Sequence, residues 1–430
     1  MAADLGEEDP TMTDNVSTPS NAGAAAFASF TAFNPATPEL RKNPYPVYHA
    51  LRAAGPIFQA APEIWLVTRF AIGDTVLVDK RFATIDLSRM GRGEDGSDQP
   101  ETETIKLARE GMGRTMLFMD PPDHGRVRGL VSKAFTPRMV ESLRPRIQAI
   151  ADELLSRFAI GRDIDLIKEY AFPLPVTVIA EMLGVPAQDR DLFRGWASNL
   201  IPLIDFGQDT AAIERAIASM GEAREYLTKL VDERRQNPKD DLISGLTLAA
   251  EKGDRLSTDE MFINIVTILV GGHETTANLI GNGMVALLEN RGELEKLQRD
   301  PSLINRAVEE CLRYDPSFQA TARRAVEDVE IGGVKVAKGS HVVVIMGACN
   351  RDPERFPDPD RFDITRENVD HMAFGGGIHF CLGASLARLE AQIAMGSLVK
   401  KFPNIRLTGA PLEIRDMYNV RGRKAIPVRV

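Results

Sequence analysis

The stretch FGGGIHFCLG, Phe374 to Gly383, places Cys381 behind a run of glycines and directly ahead of the helix-like segment ASLARLEAQIAMGSLVKKF. A lone cysteine is ordinarily a small buried hydrophobe. Here Gly375, Gly376 and Gly377 permit a tight turn with inward-pointing N–H groups, and Gly383 lets the chain pass close to something flat or bulky. A helix starting near Ala384 brings its positive dipole end towards the sulfur, and amide donors with a helix N-terminus favour thiolate over thiol. Such a thiolate, shielded by Phe374 and Phe380, suits a nucleophile or a metal ligand. A nucleophile needs an oriented base, and His379 has no evident third group to orient it. A zinc site needs three more ligands at known spacings, which are missing, whereas one thiolate suffices as the axial ligand of haem iron.

A second cluster, Gly271-Gly272-His273-Glu274-Thr275-Thr276, interrupts an otherwise apolar run. Two glycines inside a helix cost about 1 kcal/mol each relative to alanine, and a buried carboxylate costs more unless paired or protonated. One reading is a groove: the glycines let the backbone open, Thr275 bends the ladder, and a small ligand with ordered water sits beside Glu274. The other is a kinked helix whose threonines bond back to carbonyls and whose glutamate reaches solvent.

The elements that must carry these residues follow from periodicity. Ser257 and Glu260 have capping-box spacing, and residues 257–290 predict a helix on the order of 50 Å long, buried on nearly every side. Leu143, Ile147, Ile150 and Leu154 mark another helix; further helical patterns cover 165–184, 210–236 and 293–314. YPVYHALRAAG predicts a short helix ended by Gly55, EIWLVTRF a strand, and residues 329–346 paired strands around Gly turns. The proline-rich DPERFPDPDRF excludes both long helix and central strand, and residues 90–105 predict an exposed loop. Residues 1–35 lack periodicity and are expected to form a disordered arm; 36–430 are expected to form a single helix-rich domain with a minor strand component.

Composition narrows the function. The chain has 43% hydrophobic and 26% charged residues with a net charge of −9, a globular profile and a poor one for nucleic-acid binding. Three scattered cysteines fit a reducing cytoplasm rather than a disulfide framework. No window approaches the roughly 18 apolar residues needed to span a bilayer, and the acidic N-terminus is unlike a secretory signal, so neither membrane anchor nor export is expected.

With these residues assembled, FGGGIHFCLGASLAR, 374–388, resembles the haem-binding signature of the cytochrome P450 superfamily at every defined position. GGHETT resembles that family's oxygen-activation motif, EECLR its Glu-x-x-Arg with Glu310 and Arg313, and PDPDRF supplies Arg361 as the partner of that pair. MDPPDHGRVRGLVSKAFTPR, 119–138, is similar to the soluble bacterial branch, and the likeness runs from about residue 36 to the C-terminus.

The resemblance implies a mainly α fold with a minor β region, a triangular prism holding haem b between the long central helix and the cysteine-loop helix. It implies Cys381 as iron ligand, and His124, Arg128, Arg323 and His379 as partners of the propionates, with Arg324 as the alternative to Arg323 by a one-residue shift. Phe374, Gly375, Gly383 and Gly271 would line the cofactor, and Glu274 and Thr275 would form the acid–alcohol pair that delivers protons to dioxygen. Glu310, Arg313 and Arg361 would serve folding and haem retention. The implied activity is insertion of one oxygen atom from O2 into an apolar organic substrate. No flavin or nicotinamide fingerprint is visible, so electrons are expected from a ferredoxin and ferredoxin reductase docking over the cysteine side. A peroxide-driven peroxygenase or a haem-binding sensor or carrier would have no need of Glu274 and Thr275; a degenerate member that binds substrate without oxidising it is a weaker alternative. Pocket walls are expected from the loop between Phe82 and Leu117, the helix around Ile265 and Val270, residues 317–322, and a turn from Met417 to Val420, with Phe318 and Met417 apolar and Gln319 and Asn419 able to read a polar group.

Overall fold

A computed structural model describes residues 37–85, 113–204, 210–251 and 256–430. The N-terminal arm and the 90–105 loop expected from the sequence lie outside these residues. The principal helices are α1 (Tyr45–Ala54), α2 (Asp123–Ala134), α3 (Arg144–Ser156), α4 (Pro173–Met182), α5 (Arg190–Leu200), α6 (Thr210–Gln236), α7 (Thr258–Glu289), α8 (Ile304–Tyr314) and α9 (Ala384–Lys401).

Helix α7 is the axis of the molecule. Ser257 accepts from the Glu260 backbone N–H at 3.1 Å while the Glu260 carboxylate accepts from the Ser257 N–H at 2.7 Å, the reciprocal cap its spacing predicts. Its side chains from Met261 to Val270 are buried apart from half-buried Thr267, because α4, α5, α8 and α9 surround it. The largest core joins Ile147 and Leu155 of α3, Leu174 and Ile179 of α4, Phe193 and Trp196 of α5, and Leu386 and Leu389 of α9 to this axis.

Two helical patterns are shorter than the sequence predicts. The 165–184 region divides into a π-helical turn, Ile167–Ala171, and α4, where Pro173 and Pro175 enter at the first turn. The 293–314 region divides at Asp300, whose carboxylate accepts from the Ser302 N–H at 3.0 Å and so caps a new turn at Pro301. Both breaks fall where proline removes a backbone donor.

The strands β1 (Ile57–Ala61), β2 (Ile64–Val67), β3 (Phe82–Ala83), β4 (Asp163–Asp165), β5 (Thr321–Ala325), β6 (Val329–Ile331), β7 (Val334–Val336), β8 (His341–Val344), β9 (Arg406–Leu407) and β10 (Pro427–Arg429) form three sheets. The main one runs β1-β2-β8-β5-β3, with β2 and β8 parallel. Within 329–346 the β6–β7 hairpin turns on Gly332 and Gly333, at φ +57° and +77°, as expected. The third run, β8, pairs instead with β2 and β5, which a hydrophobic alternation alone does not reveal.

Candidate functional site

Cys381 sits in a turn held at both ends. Its N–H donates to the Phe374 carbonyl at 2.9 Å, and Phe380 N–H donates to Gly377 O at 3.1 Å. Gly375 and Gly377 have φ of +70° and +62°, conformations that disfavour a side chain, and a Cβ at Gly377 would lie 2.4 Å from the Leu77 carbonyl oxygen. Arg388 anchors the far side: it forks onto Glu309 at 2.7 and 2.9 Å and stacks over the Phe374 ring, 4.5 Å from its centroid. The sulfur opens onto a cavity, and surrounding protein pushes the thiol above its ordinary value, offset by the Gly383 N–H and by Arg128 and Arg388. The amide donor and the two guanidinium groups thus favour the thiolate, as the turn predicts, and burial opposes them. Phe374 lines the cavity, whereas Phe380 is exposed and shields nothing there.

The cavity, of about 340 Å³, lies between this turn and the middle of α7. Gly271, Gly272 and Thr275 face it from α7, and Cys381, Gly375 and Gly383 from the loop. A Cβ at Gly271 or Gly383 would meet nothing within 4 Å, while one at Gly272 would lie 2.6 Å from Ile179 Cδ1. Helix α7 stays α-helical through both glycines, so the opening of the ladder that the groove reading requires does not occur. The glycines give clearance, one towards the cavity and one towards α4.

Thr275 Oγ1 donates to the Gly271 carbonyl at 2.6 Å, the back-bond of the second reading, which leaves its lone pairs to the cavity. Glu274 departs from both readings. It is wholly buried, does not line the cavity, and contacts the Arg415 guanidinium instead of solvent. Burial raises its carboxyl above the ordinary range and Arg415 draws it back.

Four basic side chains gather at one end of the cavity. Arg128, Arg323 and His379 line it, and His124 packs on His379 with ring centroids 4.3 Å apart. Among the described residues Arg128 donates to the Phe380 carbonyl and Arg323 to Thr321 Oγ1 and the Ala322 carbonyl, so neutral oxygens rather than carboxylates are their hydrogen-bond partners. Nε2 of both histidines is buried without a protein partner, and His379 is pushed down to about 3 by burial with Arg323, His124 and Arg128 nearby. Strand β5 resolves the choice of arginine: Arg323 is buried and faces the cavity, while Arg324, one residue along, is not among its walls. A cationic, donor-rich pocket with orphaned buried nitrogens, a gap over two glycines and a single thiolate fits a flat dianionic macrocycle with an iron centre.

The remaining walls are partly as expected. Thr84, Ile85, Met116 and Leu117 line the cavity, as do Ser317, Phe318, Ala320, Thr321 and Ala322. On α7, however, Thr267 and Ile268 face it, and Ile265 and Val270 point into packed protein. Gln319 does not line it; its side chain is held by Tyr48 and the Pro316 carbonyl at 2.9 and 2.7 Å. Asn419 reaches the cavity but Met417 packs against the core. Phe135, Ile179 and Leu203 were not foreseen, since long-range packing alone brings them there.

The Glu310 network also differs from expectation. Glu310 binds Arg313 at 2.7 and 2.8 Å, but its second guanidinium belongs to Arg366, at 3.3 Å. Arg361 turns outward to Asp363 and offers only its carbonyl, which accepts from Arg313 at 3.2 Å. The PDPDRF motif is thus five residues short of the side chain that matters, because the turn after it swings Arg366 back underneath.

Comparison with known proteins agrees with this geometry. The family description "Cytochrome P450" matches residues 196–407. Cytochrome P450 107B1 of Saccharopolyspora erythraea is 46% identical over 85% of this chain and 89% of its own. A vitamin D(3) 25-hydroxylase of Pseudonocardia autotrophica is 43% identical over 90% and 94%, and the monooxygenase PikC of Streptomyces venezuelae 42% over 90% and 91%. Among solved structures, P450BioI in complex with an acyl carrier protein carrying hexadec-9Z-enoic acid superposes with a TM-score of 0.84 at 38% identity, covering 91% of this chain and 98% of that one.

Proposed function

Because the chain belongs to the cytochrome P450 family and is a haem-thiolate monooxygenase that binds haem b, we propose that Cys381 is its axial ligand and that Arg128, Arg323, His124 and His379 hold the propionates. The two arginines supply charge, and the two histidines, whose Nε2 atoms are buried without a protein partner, supply hydrogen-bonding groups. Gly271 and Gly383 leave room for the ring, and Phe374 and Gly375 wall it. Residues 36–430 act as one domain.

The overall reaction takes a C–H bond, O2, two electrons and two protons to an alcohol and water. Haem bound at Cys381 supplies the oxygen-binding and redox chemistry. The chain supplies placement and protons. Thr275, its own hydrogen committed to Gly271 O, accepts a hydrogen bond from cavity water and so holds that water towards the site of reaction. Glu274, buried one residue away, is the acid that replenishes it. This pair favours O2-driven oxidation over a peroxygenase or a carrier.

The described walls above the ring, Ile85, Leu117, Ile179, Leu203, Ile268 and Phe318, select an apolar organic molecule, with Thr267 and Asn419 as polar contacts. Electrons come from a separate donor, a ferredoxin with its reductase, docked over the cysteine side, where Val78, Ile378 and Phe380 are exposed. No helix among the described residues is long and apolar enough to cross a membrane; we place the enzyme in the cytoplasm.

The observation that carries this reading is the meeting of Cys381, Thr275 and the four basic groups around one cavity. The haem-loaded protein is expected to give a thiolate-type ferrous–carbonyl spectrum and, with surrogate ferredoxin and reductase, to couple NADPH oxidation to product. An imidazole-type spectrum would remove Cys381 from its role.

A further inference from the structure

Helix α7 carries a row of buried polar side chains, none of which lines the cavity. Glu274, Asn278 and Asn282 recur every four residues, so they stand in one row along a buried helix. The row faces a C-terminal hairpin that closes on itself where Ile414 bridges Arg423, Arg415 N–H donates to Gly422 O at 3.0 Å, and Lys424 N–H donates to Glu413 O at 2.8 Å. Arg415 from this hairpin contacts Glu274. The Gly422 backbone lies against Asn278, so closely that a Cβ there would sit 2.0 Å from Asn278 Oδ1. Arg423 donates to Asn282 Oδ1 at 2.6 Å, and Asn282 donates to the Arg421 carbonyl at 3.2 Å.

Along this contact several buried polar atoms lack an aligned protein hydrogen bond: both Glu274 oxygens, Asn278 Nδ2, Arg415 Nε and Arg423 Nε. Buried polar atoms concentrated in one line are a setting for ordered water, which satisfies groups that protein does not. The line runs outward, because the Arg415 side chain is 22% exposed while Glu274 is 0% exposed. Arg415 is therefore the group that stands between Glu274 and solvent.

We propose that Arg415 is the positioning residue of Glu274 and that protons reach the active site along the polar seam between α7 and the C-terminal hairpin. The proposal rests on the reading of Glu274 as the proton donor. Arg415 offsets the burial of the carboxylate, keeps it able to lose a proton as well as to hold one, and fixes it beside Thr275. Buried His273 adjoins the pair, and Arg415 and Arg194 of α5 both act on it.

The test uses the holoenzyme with surrogate redox proteins and one accepted substrate, comparing Arg415→Met, Arg415→Lys and Glu274→Gln. Hydrogen peroxide already carries the protons and electrons, so peroxide-supported turnover is insensitive to proton supply but sensitive to damage of the haem pocket. Expected for Arg415→Met are an about tenfold loss of O2-supported product formation, within the range that general acid catalysis contributes, a larger solvent deuterium isotope effect, and peroxide-supported turnover and KM within about twofold of the parent. Arg415→Lys, which keeps the charge, is expected to recover most of the loss, and it carries the test if the Met variant does not fold. Equal losses with O2 and peroxide, or unchanged O2-supported turnover in Arg415→Met while Glu274→Gln is impaired, would overturn the assignment of Arg415. Unimpaired Glu274→Gln would instead remove the reading beneath it.

Discussion

Removing the Arg366 guanidinium tests whether the buried network under the cysteine side has its second cation where the structure puts it. Glu310 is 0% exposed and accepts from Arg313, from Arg366, and from the Asp363 N–H at 2.9 Å. Arg366 also donates to the carbonyls of Pro357, Asp358 and Arg361 at 2.7, 3.0 and 2.9 Å. Arg366→Ala takes its donor from the Pro357 carbonyl, leaves the Asp358 and Arg361 carbonyls with the Arg361 N–H and Arg313, and leaves Glu310 with one cation instead of two. A bond to a charged group is worth about 1.5 to 3 kcal/mol, and stripping a buried pair entirely costs about 3 to 5 kcal/mol. Since Arg313 remains, about 3 kcal/mol is expected. Arg361→Ala removes only a side chain that is 60% exposed and paired with Asp363, a change of about 1 kcal/mol at most, because its contribution to the network is a main-chain carbonyl that survives substitution. Urea midpoints of the two variants, read by far-ultraviolet dichroism with unchanged m-values, give both numbers. A loss from Arg361→Ala equal to or above that from Arg366→Ala would refute the argument.

Thr275→Ala is expected to lower product formed per NADPH about tenfold or more while the substrate-binding constant stays within about twofold, measured by oxygen-electrode stoichiometry and spectral titration. Arg323→Leu is expected to reduce haem retention in competition with apomyoglobin, and Arg324→Leu to leave it close to the parent, since only Arg323 faces the cavity. Glu309 provides a pH prediction. Burial pushes its carboxyl up, but His371 and Arg388 together outweigh that and hold it at about 2, against an ordinary 4.5. A carboxyl depressed on folding stabilises the protein above 4.5 and loses that stability as pH falls towards 2, so Glu309→Gln should flatten this part of the acid-unfolding curve by about 3 kcal/mol.

The site was legible in sequence where chemistry requires contiguous residues and illegible where packing chooses. The turn around Cys381 is local, and its glycines are constrained by backbone geometry and by the Leu77 carbonyl, so a motif records it. Arg323 against Arg324 was a one-residue ambiguity that only strand pairing could resolve. Thr267 and Ile268 replaced Ile265 and Val270 because an all-round apolar helix gives no phase from which to read its cavity face. Arg366 and Arg415 were missed for a different reason: each reaches its carboxylate across a turn or from a distant hairpin, and nothing in a linear pattern marks which guanidinium arrives. The central helix announced its own cap through Ser257 and Glu260, whereas the break before α8 depended on one side-chain bond from Asp300.

The turn that presents Cys381 is seated against the Leu77 carbonyl and clamped by Arg388, whereas the apolar walls of the cavity include Ile85, Leu117, Ile179, Leu203, Ile268 and Phe318, on segments that do not share those contacts. Substitutions in one set can therefore reshape the space that a guest must fill while the seat of the sulfur keeps its own supports.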